Sequence, residues 1–128
     1  MREKFREGAG FEERMGYARA VRHGSRIAVS GTGDLAGDGT IGHPGDPEAQ
    51  ARAALARAVA AVERLGGKRE DVIRSRVLIK EGVDWTGIVR AHREVLDGIE
   101  PANTTYFVAG FPAEGMLVEV ELEAEVAD

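Results

Sequence analysis

Few residues in this chain could do chemistry. The most conspicuous are four glutamates near the C-terminus, Glu119, Glu121, Glu123 and Glu125. They alternate with Val118, Val120, Leu122, Ala124 and Val126. Such alternation describes a strand with one apolar and one acidic face. A carboxylate on that face can orient and deprotonate a water molecule. The plainer reading is a ladder of rungs paired with arginines across the sheet, each pair contributing about 0.2–1 kcal/mol. His23, His43 and His92 show no HxxxH or HExxH spacing, so no metal site is expected. His92 reads as a packed residue at the edge of the core. Ser30 has no nucleophile-elbow context. Gly31-Thr32-Gly33-Asp34 is too short and wrongly flanked for a phosphate loop. Cysteine is absent, which excludes thiol catalysis, disulfides and Cys-ligated zinc.

The 128 residues are 43% hydrophobic and 30% charged, which suits one packed domain spanning 1–128. A chain of this size needs no disulfide or metal to fold. Seventeen Lys and Arg against 22 Asp and Glu leave a net charge of −5. That balance provides no electrostatic reason to seek nucleic acid or an anionic membrane. No apolar run approaches the roughly 18 residues of a membrane span. The opening MREKFREGAGFEERM is charged and lacks the apolar core of a secretory signal. The expectation is a soluble, cytoplasmic protein.

The elements that must position these residues are short. Residues 17–22 and 26–31 are β-type runs joined by a hairpin at His23-Gly24-Ser25. Thr32 to Gly45 is Gly- and Asp-rich and reads as loop. Asp46-Pro47-Glu48 opens a helix that runs to Leu65 and ends at Gly66-Gly67. Ala51, Leu55, Ala58, Val59, Val62 and Leu65 form its apolar stripe. Residues 72–80 read as a strand with Ile73, Ser75, Val77 and Ile79 on one face. Asp84 caps a second helix whose buried side is Trp85, Ile88, Val89, His92 and Val95 or Leu96. Residues 104–109 and 117–126 are strands. The order β-β-α-β-α-β-β, with room for a further N-terminal strand, predicts an α+β two-layer domain: one sheet with both helices on one face. The other face, carrying Arg74, Arg76, Leu78 and the glutamates, suits a subunit interface.

The ordered pieces resemble the RidA/YjgF family of reactive-intermediate deaminases, also called L-PSP-type proteins. They are Gly16-Tyr17, the strand ending in Ser30-Gly31, the helix ending at Leu65-Gly66-Gly67, Asp71-Val72-Ile73, Asp84-Trp85, Pro101-Ala102, and Leu117-Val118-Glu119-Val120-Glu121. The resemblance runs from about Tyr17 to Ala124. It implies a chorismate-mutase-like fold and a homotrimer with sheets inside, helices outside and ligand pockets between subunits. It also implies hydrolysis of enamines and imines to a keto acid and ammonia, with no metal or organic cofactor.

Carried over residue by residue, the resemblance makes Glu121 the pocket carboxylate that positions water, with Glu119 and Glu123 on the same face in adjacent registers. Tyr17 matches a pocket wall contributed by a neighbouring subunit. Gly31 and Thr32 stand where backbone groups meet the ligand. Thr105 matches a pocket position, and Val89 falls where many deaminases carry Asn. Deaminase members hold the substrate carboxylate with an Arg after the Pro-Ala pair, for which a bidentate guanidinium is well suited. Here that position is Asn103, which supplies no charge. The expected function is therefore a trimer that binds a small molecule between subunits and hydrolyses an imine or enamine other than a standard 2-imino acid. A non-catalytic binding or regulatory protein is the alternative. A ribonuclease or translation inhibitor is disfavoured by the acidic charge and the lack of a basic stripe.

Overall fold

The computed structural model describes residues 1–8 and 10–127. Its strands are β1 (Arg2–Phe5), β2 (Ala20–His23), β3 (Arg26–Thr32), β4 (Val72–Lys80), β5 (Ala102–Val108) and β6 (Val118–Glu125). Its helices are α1 (Gly10–Met15), α2 (Pro47–Arg64) and α3 (Thr86–Val95). The strands form one mixed sheet in the order β1-β2-β3-β6-β4-β5. β4 and β5 run parallel, as a pair joined through a crossover helix can; the other neighbours are antiparallel. The α+β architecture with α2 and α3 on one face is the one expected.

Local chemistry explains the elements. β2 and β3 meet through Gly24-Ser25, with His23 opposite Arg26. Gly24 has φ +63°, the value a type II′ hairpin requires at its first central position. Asp46 caps α2 by accepting a hydrogen bond from the Ala49 N–H at 3.0 Å, and Pro47 opens the first turn. Gly66, at φ +89°, ends it. All six stripe residues of α2 are buried. They pack on Ile27, Val77, Ile79, Val118, Val120 and Leu122 from the inner sheet face.

Three expectations are corrected. Ile73 is exposed, because a bulge between Val72 and Arg74 turns Val72 inward instead. Trp85 and Val89 are each 49% exposed, since α3 rests on α2 and the sheet through Ile88 and Ala91. The first β-type run begins at Ala20 rather than Tyr17, and the segment before it forms α1, whose single turn and a half carries no strong period. The N-terminal strand is present as β1.

Gln50 is fully buried at the start of α2. Its amide donates to the carbonyls of His43 and Gly115 at 3.0 and 3.1 Å and accepts from the Leu117 N–H at 2.9 Å. One side chain thus ties the Gly-rich loop to the entry of β6. His43 ties the same loop at its other side, with Nδ1 2.8 Å from Asp34. No helix of the described residues is long and apolar enough to cross a membrane.

Candidate functional site

A cleft of about 660 Å³ opens where α1, the entry to β2, the end of β3 and the outer face of β6 converge. Tyr17, Gly31 and Glu121 line it, together with Arg19, Arg57 and Glu119. The register explains this grouping. β3 pairs with β6 regularly up to Val29 and resumes at Thr32, so Ser30 and Gly31 bulge away from the ladder. Glu119 reaches the space the bulge leaves: a methyl group on Gly31 would stand 2.5 Å from Glu119 Oε1. Burial pushes the Glu119 carboxyl above the usual carboxylate range; nearby Arg19 opposes the shift and Glu121 adds to it.

Glu121 also lines the cleft, but Arg76 Nη1 donates to it at 3.1 Å and to Glu123 at the same distance. Arg26 donates to Glu123 at 2.7 Å. That part of the acidic face is therefore the expected ladder of cross-strand pairs. Thr32 is fully buried, its hydroxyl turns back to the Ser30 carbonyl at 2.7 Å, and it does not line the cleft.

Arg19 and Arg57 are cleft residues that sequence reasoning missed. Arg19 extends across the bulge and donates to the Gly31 carbonyl. Its guanidinium lies over Tyr17, 5.8 Å from the ring centroid. The alternation of the run 17–22 was the available signal: Tyr17 and Arg19 share a face. Arg57, outside the apolar stripe of α2, donates to the Gly33 carbonyl and to Glu7.

Val89, Asn103 and Thr105 lie elsewhere, in a second hollow of about 340 Å³ between α3 and the edge strand β5. Here Asn103 Nδ2 donates to Ser75 Oγ at 3.0 Å and more weakly to the Ser75 carbonyl at 3.4 Å. Its Oδ1 accepts from the Thr105 hydroxyl at 2.8 Å. Ser75 Oγ lies 2.8 Å from His92 Nε2. Burial holds the His92 pKa below its ordinary value, which favours the neutral ring. Asn103 is thus the middle of a relay from Thr105 to His92, with its amide committed to the protein. Within one chain the sequence-derived site residues therefore divide into two groups on two parts of the sheet.

The comparisons with known proteins agree with this fold. The family model described as endoribonuclease L-PSP matches residues 9–126. The chain is 40% identical over 121 residues to the uncharacterized protein SCO2049 of Streptomyces coelicolor, covering 94% of this chain and 90% of that one. Among solved structures, Rv2704 of Mycobacterium tuberculosis, a member of the YjgF/YER057c/UK114 family, matches with a TM-score of 0.87 at 32% identity. That match covers 98% of this chain and 100% of the other. E. coli TdcF, solved with bound serine, matches with a TM-score of 0.76 at 26% identity over 87% and 88% of the two chains. A model match over nearly the whole length, joined to the fold and its bulged third strand, leads to one conclusion: the chain belongs to the endoribonuclease L-PSP family, the RidA/YjgF proteins.

Proposed function

We propose that this chain is a homotrimeric hydrolase that adds water to a small imine or enamine in pockets formed between subunits. The observation that carries the reading is Glu119, a half-buried carboxylate seated beside the Gly31 bulge, whose pKa burial raises. A base held nearer neutrality than an ordinary carboxylate is suited to taking a proton from water and returning it. The substrate reacts as its iminium form, which an enamine reaches by taking a proton from solvent at carbon. Glu119 accepts a proton from water as the water oxygen bonds to the iminium carbon, giving a neutral carbinolamine. Glu119 returns that proton to nitrogen as the C–N bond breaks and takes up the hydroxyl proton, leaving a carbonyl compound and ammonia. Glu121 borders the site and, paired with Arg76, shapes its charge.

The trimer is supported by the exposed edge of the sheet. β5 is an edge strand whose Tyr106 and Phe107 are exposed, with Trp85 packed edge-on to Phe107 and Val89 open nearby. Edges and apolar patches of this kind are normally covered. A neighbouring subunit would bring the hollow at Val89, Asn103 and Thr105 against the cleft at Tyr17, Gly31 and Glu119. The wall carrying Asn103 would then offer no cation, so a standard 2-imino acid is a poor substrate.

Two measurements test the reading. Ammonia release should be faster from imines lacking the 2-carboxylate than from freshly generated 2-aminoacrylate, and sedimentation should give three chains per particle. Failure to accelerate any imine over buffer would reduce the protein to a binding module. The Gly31→Ala variant adds a geometric check. The added methyl displaces only the flexible end of Glu119, so the melting temperature should stay near wild type. Activity should fall by about 100-fold, because a reacting group moved by about 1 Å loses its alignment. Equal activity would mean that Glu119 does not act from its position beside the bulge.

A further inference from the structure

We propose that the relay from His92 to Thr105 is a proton-linked switch that decides which hydrogen-bonding group the hollow between α3 and β5 offers a ligand. A neutral imidazole, a hydroxyl and an amide can each donate and accept, so the relay has two self-consistent directions. With His92 neutral it runs from Thr105 through Asn103 and Ser75 to His92, over contacts of 2.8, 3.0 and 2.8 Å. Ser75 is fully buried, and its hydroxyl already accepts from Asn103. Its own proton therefore goes to His92 Nε2, and the ring carries its hydrogen on Nδ1. Thr105, the exposed end, spends its proton on Asn103 and turns only lone pairs to the hollow.

A second proton on His92 lands on Nε2, which then donates to Ser75. The Ser75 proton must leave that side, and a buried donor left without an acceptor is costly. Its alternative partner is Asn103. Turned over, the amide presents Oδ1 to Ser75 and Nδ2 to the Thr105 oxygen, in the places its two ends already occupy. The turn gives up the weaker contact from Nδ2 to the Ser75 carbonyl at 3.4 Å. Thr105 then accepts from Asn103, and its hydroxyl proton is free to point into the hollow. A ligand N–H fits the neutral direction, and a ligand carbonyl fits the protonated one.

The surroundings leave His92 as the member that titrates. No other charged side chain lines the hollow. β4 and β5 face the ring with Ser75, Val77, Asn103 and Thr105, while Arg74, Arg76 and Tyr106 alternate to the other face. On α2 and α3, Glu48, Arg52, Arg90 and Glu94 pair among themselves. Arg93 and Asp97 are exposed, and Arg69, from the turn before β4, donates to the Val95 and Asp97 carbonyls. Burial alone lowers the His92 pKa, so the neutral direction prevails at neutral pH. The relay lies within one chain and stands apart from the hydrolytic reading; only its use in choosing a substrate rests on that reading.

The test is nuclear magnetic resonance of isotopically labelled full-length protein, titrated downward from neutral pH. No substrate enters it, so failure here and failure of the hydrolytic reading are separate results. The readouts are the His92 ring nitrogens, the Asn103 side-chain NH2 and the Thr105 methyl group. Above the transition the ring should carry its proton on Nδ1. The Asn103 and Thr105 resonances should then move with the His92 midpoint, below the ordinary histidine value. Ser75→Ala cuts the relay: His92 should still titrate, and the responses of Asn103 and Thr105 should be lost. His43→Gln, in the Gly-rich loop, should leave both responses in place. Asn103 resonances that stay fixed while His92 titrates would overturn the proposal. So would a neutral ring protonated on Nε2, or a full Asn103 response in Ser75→Ala. Should Ser75→Ala fail to fold, the wild-type tautomer and the shared midpoint decide.

Discussion

Glu119→Gln should lose ammonia release by about 100-fold or more, the range that a positioned general base contributes. The same variant should be more stable than wild type at neutral pH. Glutamine keeps the size and the hydrogen-bonding ends of the side chain but removes a charge that burial disfavours. The sign of the pH dependence follows. The folded chain holds the Glu119 proton to higher pH than the unfolded chain does. The stability this provides is present at low pH and is lost as pH rises from the ordinary carboxylate range through the raised folded value. The gap in melting temperature between variant and wild type should therefore widen as pH rises through that window. Comparing the two proteins cancels the groups that act in the opposite sense. These are His92, whose depressed pKa makes stability fall below its ordinary value, and Glu48 and Glu123, held low by arginines. The activity profile should gain an acid limb above the usual glutamate range, where Glu119 becomes a base, and Glu121→Gln should leave that limb in place. Full activity in Glu119→Gln, or a melting temperature below wild type throughout, would remove Glu119 from the mechanism.

Gln50→Ala should be the most destabilising substitution of a polar residue in this chain. Gln50 is itself fully buried, and its loss removes the side-chain partner of the Leu117 N–H and of two carbonyls, those of His43 and Gly115, in part-buried contacts. Each unsatisfied buried group costs about 1–3 kcal/mol, and the lost side chain leaves a cavity besides. A loss of roughly 3–5 kcal/mol is expected from these principles together, read as a fall in the urea midpoint with an unchanged slope. The effect should extend to function. Gln50 holds the Gly115–Leu117 segment, and Met116 from that segment walls the cleft. A cost below about 1 kcal/mol would show that the loop and β6 hold together without this tie.

Much of the fold was legible because its signals are local. Asp46-Pro47 and Gly66-Gly67 mark the ends of α2 through caps that depend on neighbouring backbone alone. The alternation from Val118 to Val126 places Val118, Val120, Leu122 and Ala124 inside, because a strand has no other way to bury half its residues. The ordered motifs from Gly16-Tyr17 to Glu121 identified the family at the level that the model match over residues 9–126 shows.

What the chain alone left open depends on pairing between distant strands. Ile73 changed faces because of a bulge set by β6, fifty residues away. Trp85 and Val89 have helical spacing suited to burial, yet α3 meets its neighbours along a different line. The glutamate row shows the same division most clearly. Its residues are alike in sequence, and which of them is a base depends on what lies across the sheet. Arg76 stands opposite Glu121, and the Gly31 bulge leaves space only for Glu119. Arg19 likewise reads as one more charged residue in a strand until the fold closes over it. Composition, alternation and caps determined the elements and their order, and the ordered motifs carried the resemblance to the family. Register and burial decided which charges are paired across the sheet and which are not, because a charge acquires its chemistry from neighbours that only the folded chain assembles.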